Sequence, residues 1–268
     1  MSEAGHDHYD DALVALYDHS PLLSVERDHP SVDWFRRQAD RYGGPVLQIG
    51  VATGNFALPI LRDGHEVVGV DISAEMLDVV RRRAETESVE VGKRLTTVIG
   101  DMRTLALDQT FPLIIMPGNV FLYNVNQRDQ LATLGRMRAH LGPGGVLALD
   151  VFAMDPALLA EAHPRQTTVR FATPDGTQYL AEQTVAIDPL RQLEKFRMVH
   201  RRLGPDGRLD PGIYSELTMR YVFPPELMLL LRVAGLRIRQ FGGSYTQDGP
   251  KRTYTGPQLV VAEKGGDR

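Results

Sequence analysis

The chain contains no cysteine. Disulfides, thiolate metal sites and a cysteine nucleophile are excluded, and the composition suits the cytoplasm. It also lacks any apolar stretch near the ~20 residues that cross a bilayer. Residues 1–11 are polar and acidic, without the basic region and apolar core of a signal peptide. Positive charge is not in excess: 30 basic against 34 acidic residues leave a net charge of −4. Neither a nucleic acid nor a membrane surface is therefore the expected partner. No internal repeat, low-complexity tract or nucleophile elbow is present. What remains is ordinary globular composition over 268 residues, enough for one large domain or a domain with an insertion.

Strand and helix signals alternate from residue 46. Val46–Ile49, Glu66–Asp71, Leu95–Ile99, Leu113–Met116 and Val146–Phe152 are short apolar runs that read as buried parallel strands. Helices are expected over Asn55–Leu61, from a Ser73 cap to Thr86, and over Gln127–Leu141, the last stopped by Gly142-Pro143-Gly144-Gly145. Two helices precede them, at Asp10–Tyr17 and Ser31–Tyr42, the second expected on a surface. From about Arg165 to Val222 the pattern changes to four strands punctuated by turn residues such as Pro174-Asp175-Gly176 and Asp210-Pro211-Gly212. A helix from Pro224 or Pro225 to Ala234 and strands at Leu236–Phe241 and Gln258–Ala262 follow. Only about sixteen residues separate those two strands, with no helical pattern, so they are expected to be antiparallel neighbours.

Ligands in such sheets bind at the carboxyl ends of the strands. Gly50-Val51-Ala52-Thr53-Gly54-Asn55 lies at the first such end, where glycines let the backbone approach a ligand. No Gly-Lys-Ser/Thr follows, so it is not a phosphate-binding P-loop, and the dinucleotide glycine spacing is not met. Asp71 ends the second strand, placed to accept the two ribose hydroxyls of an adenosine. Gly100-Asp101-Met102 ends the third, offering a carboxylate for the edge of an adenine and a thioether for its face.

With these three pieces in order, the chain resembles the class I S-adenosylmethionine-dependent methyltransferases. The matching stretches are Val46–Gly54, Val68–Leu77, Gly100–Arg103 and Leu141–Gly145. The resemblance implies an α/β fold: a Rossmann-like seven-stranded methyltransferase sheet whose last strand is antiparallel. It implies a helical lid over residues 1–44, a cofactor-binding domain over 45–164 and 223–268, and an antiparallel β insertion over 165–222. S-adenosylmethionine would be held by Tyr17, Gln48, Gly50, Ala52, Thr53, Gly54, Asp71, Ile72, Met76, Asp101, Met102 and Gly118. The family usually carries a carboxylate where this chain has Gln48, and glycine where it has Ala52.

Within the family, His8–Asp18 is similar to the lid helix of amino-sugar N-methyltransferases and related natural-product enzymes. That likeness places Tyr17 by the cofactor and Tyr9 by a small-molecule acceptor, and implies a homodimer. Those enzymes carry a histidine after the fourth strand; here the position is Tyr123. Asn119, Phe152, Phe196 and Met198 are the expected acceptor contacts. Tyr9, Tyr123 and His200 are the candidate catalytic groups for N-, O- or C-methylation. A cofactor-binding homologue with a non-methyl reaction, or a non-enzymatic nucleotide binder, is the alternative.

The β insertion is two-faced. Phe196, Met198 and His200 alternate with Lys195, Arg197 and Arg201, and Leu217 and Met219 with Glu216 and Arg220. The apolar face is expected to pack on the core domain or a second subunit, or in part to roof the acceptor with His200 projecting into it. Arg81-Arg82-Arg83 reads as a solvated helical face. His6-Asp7-His8 has no third ligand cluster, so no metal is expected.

Overall fold

The computed structural model describes residues 11–24, 27–159, 164–247 and 249–266. The chain divides into two compact units. The smaller gathers residues 11–24 with the described part of 156–220; the larger holds the described residues of 27–155 and 221–266.

The larger unit is built on seven strands: β1 (Val46–Ile49), β2 (Val67–Asp71), β3 (Leu95–Ile99), β4 (Phe111–Met116), β5 (Leu141–Ala153), β10 (Leu236–Gly242) and β11 (Gly256–Lys264). Their order is β10-β11-β5-β4-β1-β2-β3. β11 runs antiparallel to both its neighbours, and the strands from β5 to β3 are parallel. β1 is buried throughout and β4 at every residue but Pro112, which is why they read as unbroken apolar runs. Crossover helices α3 (Ala57–Arg62), α4 (Ala74–Glu87) and α6 (Gln127–His140) return the chain to the next strand. Ser73 accepts the Met76 N–H at 3.1 Å and Asn126 accepts the Asp129 N–H at 2.9 Å, so side-chain oxygens cap α4 and α6.

Two expectations need correction. Helix α2 (Pro30–Tyr42) is not simply a surface helix: Trp34 and Phe35 are buried, and only the face carrying Asp33, Arg36 and Asp40 meets solvent or ion pairs. Gly142–Gly145 does not separate α6 from its strand. β5 starts at Leu141, paired with Phe111, and the register shifts before Leu113 pairs Val146, so the glycines bulge out between the two pairings. A short helix α5 (Val89–Lys93) fills the connection before β3, capped by Ser88.

The smaller unit contains α1 (Asp11–Tyr17), α7 (Pro156–Leu159) and a sequential antiparallel sheet of β6 (Arg165–Ala172), β7 (Gln178–Asp188), β8 (Leu193–Arg202) and β9 (Ile213–Arg220). Ala181 pairs His200 and Met198 pairs Ser215. The expected alternation holds on β8, where Met198 and His200 are buried and Lys195 and Arg197 exposed. It fails at two charged residues. Glu194, on the Met198 face, is only 3% exposed. Arg220 is also buried and donates to Gln192 at 2.6 Å. Helix α8 (Pro224–Val233), in the larger unit, completes the fold. Among the described residues no helix is long and apolar enough to cross a membrane, and no cluster of metal-ligating side chains occurs.

Candidate cofactor site

The loop after β1 carries three residues with positive φ: Gly50 (+66°), Ala52 (+47°) and Gly54 (+93°). A side chain is excluded at two of them. A Cβ on Gly50 would meet Val120 Cγ2 at 2.5 Å, and one on Gly54 would meet Val80 Cγ2 at 2.5 Å. Ala52 has its Cβ in the left-handed region, which costs about 1–2 kcal/mol. Its N–H is held in return by Asp71, donating to Oδ2 at 2.8 Å, while Ser73 N–H donates to Oδ1 at 3.0 Å. Burial pushes the Asp71 carboxyl above the usual range, against the pull of the Ser73, Ala52 and Ile72 amides. Each carboxylate oxygen has a second lone pair, so Asp71 can bind the loop and still accept from a diol.

Gln48 lies in the middle of β1, paired to Gly69 and Ile115, and is 0% exposed. Neither atom of its amide has a hydrogen-bond partner. A buried, unsatisfied amide is costly unless a ligand completes it. With the glycine cradle and the Asp71 carboxylate, this orphan amide fits S-adenosylmethionine: ribose on Asp71, polar methionine end toward Gln48.

At the end of β3, Asp101 is engaged by Arg103. The Arg103 backbone N–H donates at 2.8 Å and its Nε at 2.9 Å, and the guanidinium reaches on to Asp129 at 3.2 Å. Met102 lies beside Asn124, whose Nδ2 is 3.6 Å from the thioether sulfur. Ile72 is an exposed apolar side chain immediately after Asp71. Met76 is buried in the first turn of α4.

Past β4 the chain makes two consecutive left-handed residues, Gly118 (+68°) and Asn119 (+64°), before a short 3-10 turn that ends at Tyr123. Asp150 of β5, fully buried, fixes this turn. Its Oδ1 accepts the Gly118 N–H at 2.7 Å and its Oδ2 accepts the Tyr245 hydroxyl at 2.6 Å. Asn119 Oδ1 in turn accepts the Phe152 N–H at 2.7 Å. Burial drives the Asp150 carboxyl upward, opposed by those donors, and burial next to Asp150 drives the Tyr245 phenol upward. The Tyr245 ring meets His29 edge-on at 5.5 Å. Asp150 and Tyr245 were missed in the sequence. The available signal was one carboxylate inside the apolar run Val146–Phe152.

The larger unit thus carries Gln48 within β1 and brings Gly50, Ala52, Thr53, Gly54, Asp71, Ile72, Asp101, Met102, Gly118, Asn119, Tyr123 and Phe152 to the ends of β1 to β5 and the loops that follow. The smaller unit carries Tyr17, Phe196, Met198 and His200. Tyr9 lies outside the described residues. His200 is buried, with Nε2 2.8 Å from Ser20 Oγ and Nδ1 without a partner. Burial holds its pKa below the ordinary value, so the ring is neutral at pH 7.

A family model described as a methyltransferase domain matches residues 46–145, the span from β1 into the start of β5. The chain is 28% identical over 258 residues to cypemycin N-terminal methyltransferase from Streptomyces sp, covering 96% of this chain and 97% of that one. It is 33% identical over 159 residues to phosphatidylethanolamine N-methyltransferase from Cereibacter sphaeroides, covering 58% of this chain and 74% of that one. In structure it is similar to the CcbJ methyltransferase from Streptomyces caelestis, with a TM-score of 0.76, 24% identity, and coverage of 95% and 96% of the two chains. The strand-end cradle, the half-buried carboxylate of Asp71 and these relatives converge, and the chain belongs to the class I S-adenosylmethionine-dependent methyltransferases.

Proposed function

We propose that this methyltransferase acts on the nitrogen of a small amine acceptor, of the natural-product or amino-sugar kind. The observation that carries this reading is the end-to-end similarity to cypemycin N-terminal methyltransferase, over 96% of this chain. The shared length takes in the N-terminal stretch and the β insertion. A bare cofactor-binding sheet needs neither part.

When bound, the cofactor supplies an electrophilic methyl group on a sulfonium. The chain's own residues have three tasks. Asp71 and the Gly50–Asn55 loop hold the nucleoside, and Gln48 receives the methionine end. The turn Gly118–Asn119, locked by Asp150, orients whatever lies beyond β4. An amine attacks with its own lone pair and needs positioning more than a strong base; alignment alone supplies up to about 7–11 kcal/mol. In the larger unit, Tyr123, Asn119 and Phe152 are the groups we assign to the acceptor.

The test is transfer of an isotopically labelled methyl group to a panel of paired compounds. The panel holds peptides with free N-termini, amino sugars, and their hydroxyl counterparts, read by mass spectrometry. Label on amine nitrogen, absent from the hydroxyl counterparts, is expected. Label only on oxygen or carbon would overturn the amine assignment.

A further inference from the structure

Arg83 belongs to a basic run that reads as solvated, yet the structure turns it inward to the cofactor loop. Its Nη1 donates to the Thr53 carbonyl at 2.7 Å and lies 3.4 Å from Asn55 Oδ1. Thr53 and Asn55 are both buried. Three residues earlier on α4, one helical turn away, Val80 packs where Gly54 can carry no Cβ. One face of α4 therefore supports the loop twice, once by shape and once by a charge-assisted hydrogen bond. The Thr53–Gly54 peptide is pinned on both sides: its carbonyl by Arg83, its N–H by the Val51 carbonyl at 3.0 Å. The residue just before Thr53 is Ala52, the one non-glycine residue of this loop with a positive φ.

We propose that Arg83 is a positioning residue of the cofactor site, holding the loop in the left-handed conformation that Ala52 resists. The guanidinium offsets in this chain a strain that glycine at position 52 would not create. Arg83 touches no reacting atom. It acts through the Thr53 carbonyl, so that the loop is formed before the cofactor arrives. The inference rests on S-adenosylmethionine occupying the Gly50–Asn55 loop.

A double-mutant cycle tests it on the intact protein. Arg83→Met, Ala52→Gly and the double variant are titrated with S-adenosylhomocysteine by calorimetry, and each is checked by thermal unfolding without ligand. Arg83→Met is expected to weaken binding about tenfold in the Ala52 background and only about twofold in the Ala52→Gly background. Arg83→Lys, which keeps one charged donor, should recover part of the loss. Equal losses in both backgrounds would make Arg83 a support unconnected with the strain at Ala52, and would overturn the proposal. Arg83→Gln replaces the Met variant if the latter does not fold. Asp71→Ala is the control. A loss there with none at Arg83 refutes the role of Arg83 alone, whereas no loss at either refutes the placement of the cofactor.

Discussion

Replacing Gln48 by glutamate changes one atom and puts a carboxyl where the free protein offers it nothing. Gln48 is fully buried on β1 and its amide has no partner. An isolated carboxylate in such a place costs several kcal/mol, so the introduced group takes up a proton instead. That choice sets a ceiling on the damage. With an unfolded pKa near 4.3, keeping the group neutral costs about 3.7 kcal/mol at pH 7 and about 1 kcal/mol at pH 5. The folded pKa lies above the unfolded one, so the deficit is absent below the unfolded value and grows as pH rises. For a chain of this size the deficit at pH 7 lowers Tm by about 7–15 °C. Binding should reverse it, because the methionine end of the cofactor brings an ammonium group. The introduced carboxyl then ionises and releases a proton. Thermal unfolding at pH 5 and pH 7 measures the deficit. Calorimetry with S-adenosylhomocysteine in buffers of different ionisation enthalpy measures the proton. A deficit that does not shrink by pH 5 would refute the claim that Gln48 is partnerless in the free protein. A deficit that binding fails to relieve would refute its place beside the methionine end.

Two further outcomes are expected in the smaller unit. Burial pushes the Glu194 carboxyl up to about 7, with Arg165 at 3.7 Å pulling it back. Its folded pKa is raised, so its contribution to stability is complete below about pH 4.5 and lost as pH rises through about 7. Glu194→Gln should therefore gain about 3 kcal/mol over the parent between pH 4 and pH 8, read by urea unfolding at several pH values, and a flat difference would contradict the burial argument. Ser20→Ala and His200→Ala each remove one partner of a buried hydrogen bond, at a cost of about 1–3 kcal/mol. If His200 also serves the acceptor, its variant loses kcat beyond the Ser20 variant while both keep their affinity for S-adenosylhomocysteine; equal kcat values would leave it a structural residue.

The seven-stranded sheet was legible because buried parallel strands are short apolar runs closed by a turn or polar residue, glycine after Val46–Ile49 and Asp71 after Val67–Val70. Turn chemistry made the β insertion legible as well. Strand β5 was read too short, since Gly142-Pro143-Gly144-Gly145 carries every local sign of a break, and the pairing of Leu141 with Phe111 on its far side is not visible in the sequence. At the site, residues at strand ends could be placed from order alone. Those that act across the fold could not. Arg83 reaches Thr53 from 30 positions away, and Tyr245 reaches Asp150 from 95. Charge sign and periodicity describe a helix face or a strand; they do not say which distant carbonyl or carboxylate will meet it. Glu194 shows a related limit: alternation puts it on the Met198 face, while its charge argues for solvent, and the structure follows the alternation.

The most direct test of the account is a crystal structure of the protein with S-adenosylhomocysteine. The account predicts both ribose hydroxyls on the Asp71 carboxylate, the adenine beside Ile72 and Met102 with Asp101 at its edge, and the amino-acid end at Gln48. A nucleoside bound elsewhere, or a ribose beyond hydrogen-bond reach of Asp71, would contradict it.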